Sequence, residues 1–359
     1  MLDVHEKSTT YCSFCPKLCR FACPVAHAEA RETVTPQAKQ ALVDLVRRDE
    51  IALSADVADV FYRCTGCQLH TTACEHDIHV GPVMFDARAE AVKAGVGHAA
   101  LTDLPRRLDE AEADHRPALR AACRGAEPSR SGALYFPGCV ALEGDGALAA
   151  AGFVAASKLA RGALAPADSP GCCGYPLLAG GFPEEFAERA RRTAAALADA
   201  DSVVTGDPIC AWTLRSAYPD AGVDLAPAVH HLAEVASKAA LPLGHDDRRL
   251  AYHDPCYLGR RLGVRREPRE VIERLTGAAP VELHWAERGG YCSGGGGLLP
   301  ETAPATAHAI AQDLEAQAAD VGADVIVTAC PRCRRGLGGV RKETAVIDLA
   351  ELLAERLPG

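Results

Sequence analysis

The sequence predicts an α+β chain in which an α-helical N-terminal domain precedes two tandem α/β units, the second a copy of the first. Three observations predict it. Apolar runs rich in β-branched and aromatic residues (Leu134 to Phe136, Val203 to Thr205, Leu250 to Tyr252, Val325 to Thr328) each stop a few residues short of a cysteine. Amphipathic stretches such as "EEFAERARRTAAALADA" and "TAHAIAQDLEAQAADVG" lie between those runs, and strands alternating with helices build parallel sheets. Finally, the cysteine pattern of the first unit returns in the second at a nearly constant offset. Before them, "QAKQALVDLVRRDE" and "LSADVADVFYR" have helical periodicity. The expected organisation is an N-terminal domain over residues 1–115, a linker over 116–131 where charge gives way to small residues, a first α/β unit over 132–244 and a second over 245–359.

At 359 residues, with 48% hydrophobic and 24% charged side chains, the chain is long enough for two or three globular domains. The opening "MLDVHEKSTTYCSFC" has no apolar core of a signal peptide, and no window approaches the roughly 18 apolar residues of a membrane span. The expectation is a cytoplasmic protein with no membrane span. A net charge of -10 argues against a nucleic-acid partner, whose binding depends on cationic surface. Sixteen cysteines without a secretion signal point to metal or cluster binding rather than disulfides. Cys123 alone stands outside the groups and reads as an inert buried thiol.

In the N-terminal domain, "CSFCPKLCRFACPVA" places Cys12, Cys15, Cys19 and Cys23 in a CxxCxxxCxxxCP run, one residue longer than the bacterial ferredoxin spacing. Thiolates so closely spaced wrap a cubane cluster, and in two-cluster ferredoxins the fourth cysteine serves the other cluster. The second run, "CTGCQLHTTACEHDIHV", contains Cys64, Cys67 and Cys74, with His70 in the third ligand position and Glu75 where proline is usual. His76 and His79 are nearby alternatives. The expectation is a ferredoxin-like domain with two 4Fe-4S clusters, one on Cys12, Cys15, Cys19 and Cys74, the other on Cys64, Cys67, His70 and Cys23. A zinc site is the alternative reading of the same thiols.

The duplication becomes explicit when the cysteines are aligned. "LYFPGC" ending at Cys139 matches "LAYHDPC" ending at Cys256, and "GCCGYP", with Cys172 and Cys173, matches "YCSGGGG", with Cys292 and Ser293. "SVVTGDPIC", with Asp207 and Cys210, matches "VIVTACPRC", with Cys330 and Cys333. Each unit has lost one cysteine of a five-position pattern, to Asp207 in the first and to Ser293 in the second. The glycines after Ser293 suit backbone passing close to a bulky cluster with its amides turned toward sulfur. A phosphate-binding loop would need a Lys-Ser/Thr ending that is absent.

The repeated cysteine, "CCG" and CxxC pattern resembles the CCG, or cysteine-rich, domain of heterodisulfide reductase B-type subunits, and the segment before it resembles the C-type subunit. The whole order is similar to the fused D-type subunit and to the iron–sulfur subunits of glycolate oxidase and anaerobic glycerol-3-phosphate dehydrogenase. The resemblance implies two tandem CCG domains with one or two further clusters, cubane or non-cubane. Their ligands would be Cys139, Cys172, Cys173, Asp207 and Cys210 in one unit and Cys256, Cys292, Ser293, Cys330 and Cys333 in the other, with zinc as the alternative in one unit. Oxygen from Asp207 or Ser293 is a harder ligand than thiolate, so neither unit offers five soft ligands.

The function so implied is that of an iron–sulfur electron-transfer subunit of a multi-subunit oxidoreductase. Its partner would be a flavoprotein dehydrogenase or another redox subunit in a hetero-oligomer, with peripheral membrane association only through that partner. No GxGxxG dinucleotide fingerprint is present, so hydride chemistry falls to another chain. The alternative is a catalytic subunit that reduces a disulfide or another small acceptor at a CCG cluster. The arginines Arg260, Arg261, Arg265, Arg266, Arg269, Arg332, Arg334 and Arg335 near the second unit's cysteines would then meet an anion.

Overall fold

A computed structural model describes residues 2–160, 164–169, 171–240, 244–340 and 344–357. The N-terminal part is helical, as its periodicity predicts. Helix Pro36–Arg47 starts where Thr35 accepts a bond from the Ala38 amide, with Pro36 at the first helical position. Ser54 caps helix Ala55–Tyr62 in the same way. Val43, Phe61, Val80, Val83 and Met84 close a small core of their own. The segment expected to be a linker begins instead as helix: Leu104–Ala122 runs 19 residues with Pro117 inside it. Leu119 and Ala122 are apolar, point inward and pack with the first α/β unit, so the charged neighbours are one face of a helix rather than a solvated connector.

Two four-stranded sheets follow, β1 (Gly132–Tyr135) to β4 in one and β5 to β8 in the other. The other strands are β2 (Leu164–Pro166), β3 (Ala200–Thr205), β4 (Ala228–His231), β5 (Leu250–His253), β6 (Val281–Glu282), β7 (Val325–Thr328) and β8 (Ala345–Asp348). Every pairing is parallel, and the orders β2-β1-β3-β4 and β6-β5-β7-β8 are the same topology written twice. The duplication seen in the cysteines is thus a duplication of fold. In each sheet the chain leaves the first strand toward one side and later returns on the other, which opens a crevice at the carboxyl ends of β1 and β3, and of β5 and β7. Helices Ala147–Leu159, Leu232–Lys238, Arg266–Thr276 and Leu349–Arg356 share one apolar core between the two units.

A second core joins all three parts of the chain through Tyr62, Phe85, Tyr175, Tyr257 and Leu299. The Tyr175 and Tyr257 hydroxyls meet at 2.9 Å across the two units. At this junction lies Arg88, fully buried and bonded to carbonyls of all three parts: Phe61 and Cys64, Ala179 at 2.6 Å and Gly297 at 3.1 Å. The same junction explains two of the glycines. A Cβ on Gly296 would stand 2.5 Å from the Thr65 carbonyl oxygen, and one on Gly297 2.2 Å from that of Cys64. Their backbone is pressed against the N-terminal domain, a cause that the cysteine pattern alone does not reveal. Among the described residues no helix is long and apolar enough to cross a membrane.

Candidate functional site

The cysteines gather into four sets, and all sixteen are free thiols. Cys12 lies near the end of helix Glu6–Ser13, Cys15 and Cys19 follow in the next loop, and Cys74 ends the turn Leu69–Ala73. These four are electrostatic neighbours: burial, then Cys19, Cys74 and Cys15, push the Cys12 thiol up to about 12. Cys19 is pushed to about 11 by burial and then by Cys74 and Cys15. The Ile78 amide donates to Cys74 Sγ at 3.4 Å.

Cys23 belongs elsewhere. It precedes helix Pro24–Glu29, where Pro24 turns the chain, and its neighbours are Cys67 and Cys64. A single cavity is lined by Cys23, Cys64, Cys67 and His70, with Lys39 beside them. Burial raises the Cys23 thiol, and the Lys39 ammonium, 3.9 Å from its sulfur, opposes that rise. His70 Nε2 lies 3.0 Å from the Ile78 carbonyl and 3.2 Å from the Val80 amide, and burial holds the ring down to about 3, so it is neutral. His79 is exposed and pairs with Asp77, while His76 stacks on Tyr11.

In the first unit, Cys139 follows β1, Cys172 and Cys173 follow β2, and Asp207 and Cys210 follow β3, all outside carboxyl ends of strands. The Cys139 thiol donates to Cys172, which lowers Cys172 and raises Cys139; Cys173 likewise contacts Cys210. Asp207 Oδ1 accepts from the Ile209 amide at 2.8 Å, and burial raises its carboxyl. Facing this set is a guanidinium from the other unit: Arg332 is buried beside Cys139, Asp207 and Cys173.

In the second unit Cys256 contacts Cys292, and Cys330 contacts Cys333. The Gly294 amide donates to Cys292 Sγ at 3.4 Å, as Gly174 donates to Cys172 Sγ at 3.5 Å in the first unit. Ser293 is buried, its hydroxyl accepting a long bond of 3.5 Å from the Gly295 amide.

The four sets also touch one another in series. Cys19 neighbours Cys23, the Cys67 thiol contacts the Cys292 thiol, and Cys330 neighbours Asp207. Among the described residues no three His, Cys, Asp or Glu side chains converge on one point where a single ion could sit. Grouped soft thiols, backbone amides aimed at sulfur and buried cations fit a larger iron–sulfur group instead. Burial and mutual repulsion keep several of these thiols protonated when nothing positive lies between them, so metal entry would release protons.

Two participants escape a reading of cysteine spacing. Lys39 was legible, since its i, i+4 relation to Val43 puts it on the buried face of its helix. The approach of Arg332 to the other unit was not, because it depends on how the two sheets are set against each other.

Residues 133–215 and 250–338 each match the family described as a cysteine-rich domain, CCG. The D-type subunit of the heterodisulfide reductase of Methanosarcina barkeri, an enzyme named for dihydromethanophenazine and CoB–CoM, is 27% identical over 326 residues, covering 83% of this chain and 78% of its own. The B-type subunit of fumarate reductase (CoM/CoB) from Methanothermobacter marburgensis is 29% identical over 329 residues, 85% of this chain but 64% of that protein, just under two thirds. A probable iron–sulfur-binding oxidoreductase of Bacillus subtilis, FadF, is 32% identical over 171 residues, covering 45% of this chain and 24% of its own. A crystal structure of a hypothetical protein from Helicobacter pylori has the same fold, with a TM-score of 0.56 at 9% identity over 99% of this chain and 75% of that one.

Proposed function

We propose, from the premise that this chain carries two copies of the CCG cysteine-rich domain and is homologous to the D-type heterodisulfide reductase subunit and related iron–sulfur proteins, that it is the electron-transfer subunit of a multi-subunit reductase. The observation that carries the reading is the series of contacts Cys19–Cys23, Cys67–Cys292 and Cys330–Asp207, which links four thiol sets through the chain. Iron–sulfur clusters, when bound, supply single-electron chemistry.

Cys12, Cys15, Cys19 and Cys74 would hold one 4Fe-4S cluster, and Cys23, Cys64, Cys67 and His70 the other. For His70 to ligate through Nδ1, Nε2 keeps its proton and donates to the Ile78 carbonyl. Cys139, Cys172, Cys173 and Cys210, with Asp207, would hold a third, and Cys256, Cys292, Cys330 and Cys333, with Ser293, a fourth. Lys39 and Arg332 offset negative charge on the sulfurs, and the amides of Ile78, Gly174 and Gly294 polarise them.

A redox partner, a flavoprotein dehydrogenase in this reading, docks where the first set nears the surface. Val4, Tyr11, Phe14, Leu18 and Phe21 are the exposed large hydrophobics among the described residues, and three of them lie between Cys12 and Cys23. We place the complex in the cytoplasm, in touch with the membrane only through a partner. A second reading, a catalytic reductase of a disulfide, draws on the buried Arg332 beside the first unit's thiols, since a guanidinium there can also greet an anionic acceptor.

Iron and acid-labile sulfide analysis tests the proposal: about sixteen irons per chain are expected for four filled sets, about eight for two. None, with zinc in their place, overturns it. Within the N-terminal domain, Cys23→Ser is expected to change the magnetic signature of the cluster on Cys64 and Cys67. A change confined to the cluster on Cys12, Cys15 and Cys19 would show that the fourth cysteines are not crossed.

A further inference from the structure

The five arginines that follow Cys256 in sequence divide in the structure. Arg266 pairs with Glu270, and Arg269 pairs with Asp254 and Glu282. Arg260, Arg261 and Arg265 turn the other way and, with Arg288, line a cavity of about 340 Å³. Among the described residues none of these four makes an ion pair with a carboxylate. The one carboxylate in the cavity wall, Asp77, is beside His79 at 3.6 Å. We propose that this cavity binds a small oxyanion, a molecule carrying carboxylate or phosphoryl groups.

The arginines are held in place by groups other than anions. The π-helical turn Tyr257–Arg261 projects Arg260 and Arg261 together. Arg260 Nε donates to the Cys67 carbonyl at 2.7 Å and Nη1 to the Gly290 carbonyl, and its buried Nη2 has no partner. Arg261 lies on the rings of Trp212 and Tyr257, 4.5 and 4.8 Å from their centroids, and donates to the Gly66 carbonyl. Guanidiniums preset in this way lose little freedom when they fork onto an oxyanion.

Gln68 provides a second, independent observation. Its side chain is buried, the residue being only 4% exposed, and neither its amide nitrogen nor its oxygen has a partner. Leaving both unpaired is costly unless something polar enters beside them. Gln68 lines the arginine cavity on one side and the cavity of Cys23, Cys64 and Cys67 on the other. An anion held here therefore sits one side chain away from those thiols. A cavity of this size suits a small molecule rather than the face of a protein.

The test is calorimetric titration of the full chain, as purified and with its iron content recorded, against inorganic phosphate, citrate and succinate at low and moderate salt. Binding that weakens with salt is expected, and the ranking of phosphate against the carboxylates tells which group the site prefers. R265Q/R288Q is expected to weaken that binding at least tenfold, and R266Q, outside the cavity, to leave it unchanged. Should the double variant fold poorly, R288Q alone is expected to weaken binding severalfold, since Arg288 is exposed. Absence of binding by all three anions in the millimolar range, or equal affinity in wild type and the folded arginine variants, would overturn the proposal. Either result stands apart from the iron count, which tests the electron-transfer reading.

Discussion

Arg88→Leu is expected to lower the stability of the whole chain by about 3–5 kcal/mol, the range for breaking a buried, fully bonded charged group. Leucine fills part of the space but donates nothing to the carbonyls of Phe61, Cys64, Ala179 and Gly297, which stay buried. It also removes the cation from the faces of Tyr62 and Phe85. Because those carbonyls belong to three parts of the chain, the melting transition should lose cooperativity as well as temperature. Arg88→Lys keeps the charge with fewer donors in a different geometry, and should recover only a minority of the loss. A melting curve for Arg88→Leu that overlays wild type would show that the three parts are held together elsewhere.

The second large effect is expected at Gly297. Its φ of +59° is unfavourable for alanine, and the added Cβ would meet the Cys64 oxygen at 2.2 Å and the Thr65 Cα at 2.8 Å, backbone atoms that cannot swing aside. Gly297→Ala should cost about 3 kcal/mol from overpacking and a strained backbone, and part the N-terminal domain from the second unit. Gly322→Ala is the matched control, since Gly322 also has positive φ, +66°, but nothing lies within 4 Å of its Cβ position. Limited proteolysis distinguishes them: cleavage near residues 123–131 should accelerate in Gly297→Ala and not in Gly322→Ala. Equal rates would mean that the loop yields without moving the N-terminal domain.

Much of the fold was legible because the physics that sets it is local. The β-branched runs before Cys139, Asp207, Cys256 and Cys330 became β1, β3, β5 and β7, and the repeat in cysteines forced a repeat in topology. The short edge strands β2 and β6 carried no comparable signal, since "LAP" and "VE" are too brief for a period to declare itself. The first residues of the expected linker are helix because Leu119 and Ala122 find a partner surface in the first unit, a tertiary fact. In the candidate site, spacing was enough to group Cys12 with Cys74 and Cys23 with Cys64. It did not reveal that Cys67 touches Cys292, that Arg332 crosses between units, or that Gln68 stands unbonded between two cavities. Each of these depends on separations of many residues that no local pattern encodes.

The packing of Gly296 and Gly297 against Cys64 and Thr65 bears on how the chain emerges from the ribosome. Cys64 and Cys67 are synthesised more than two hundred residues before the loop that covers them. At about 5–20 residues per second, that interval is on the order of ten to fifty seconds. Throughout it, nascent thiols on a partly assembled helical domain face the solvent with no lid, open to oxidants and to the wrong metal. Loading the set of Cys23, Cys64 and Cys67 is consequently easiest during translation and hardest after it, when the second unit has closed over the entrance. Preparations made faster than iron and sulfide can be supplied should therefore contain chains that are folded, closed and permanently short of that set, and reconstitution from such material should need partial unfolding rather than simple addition of iron.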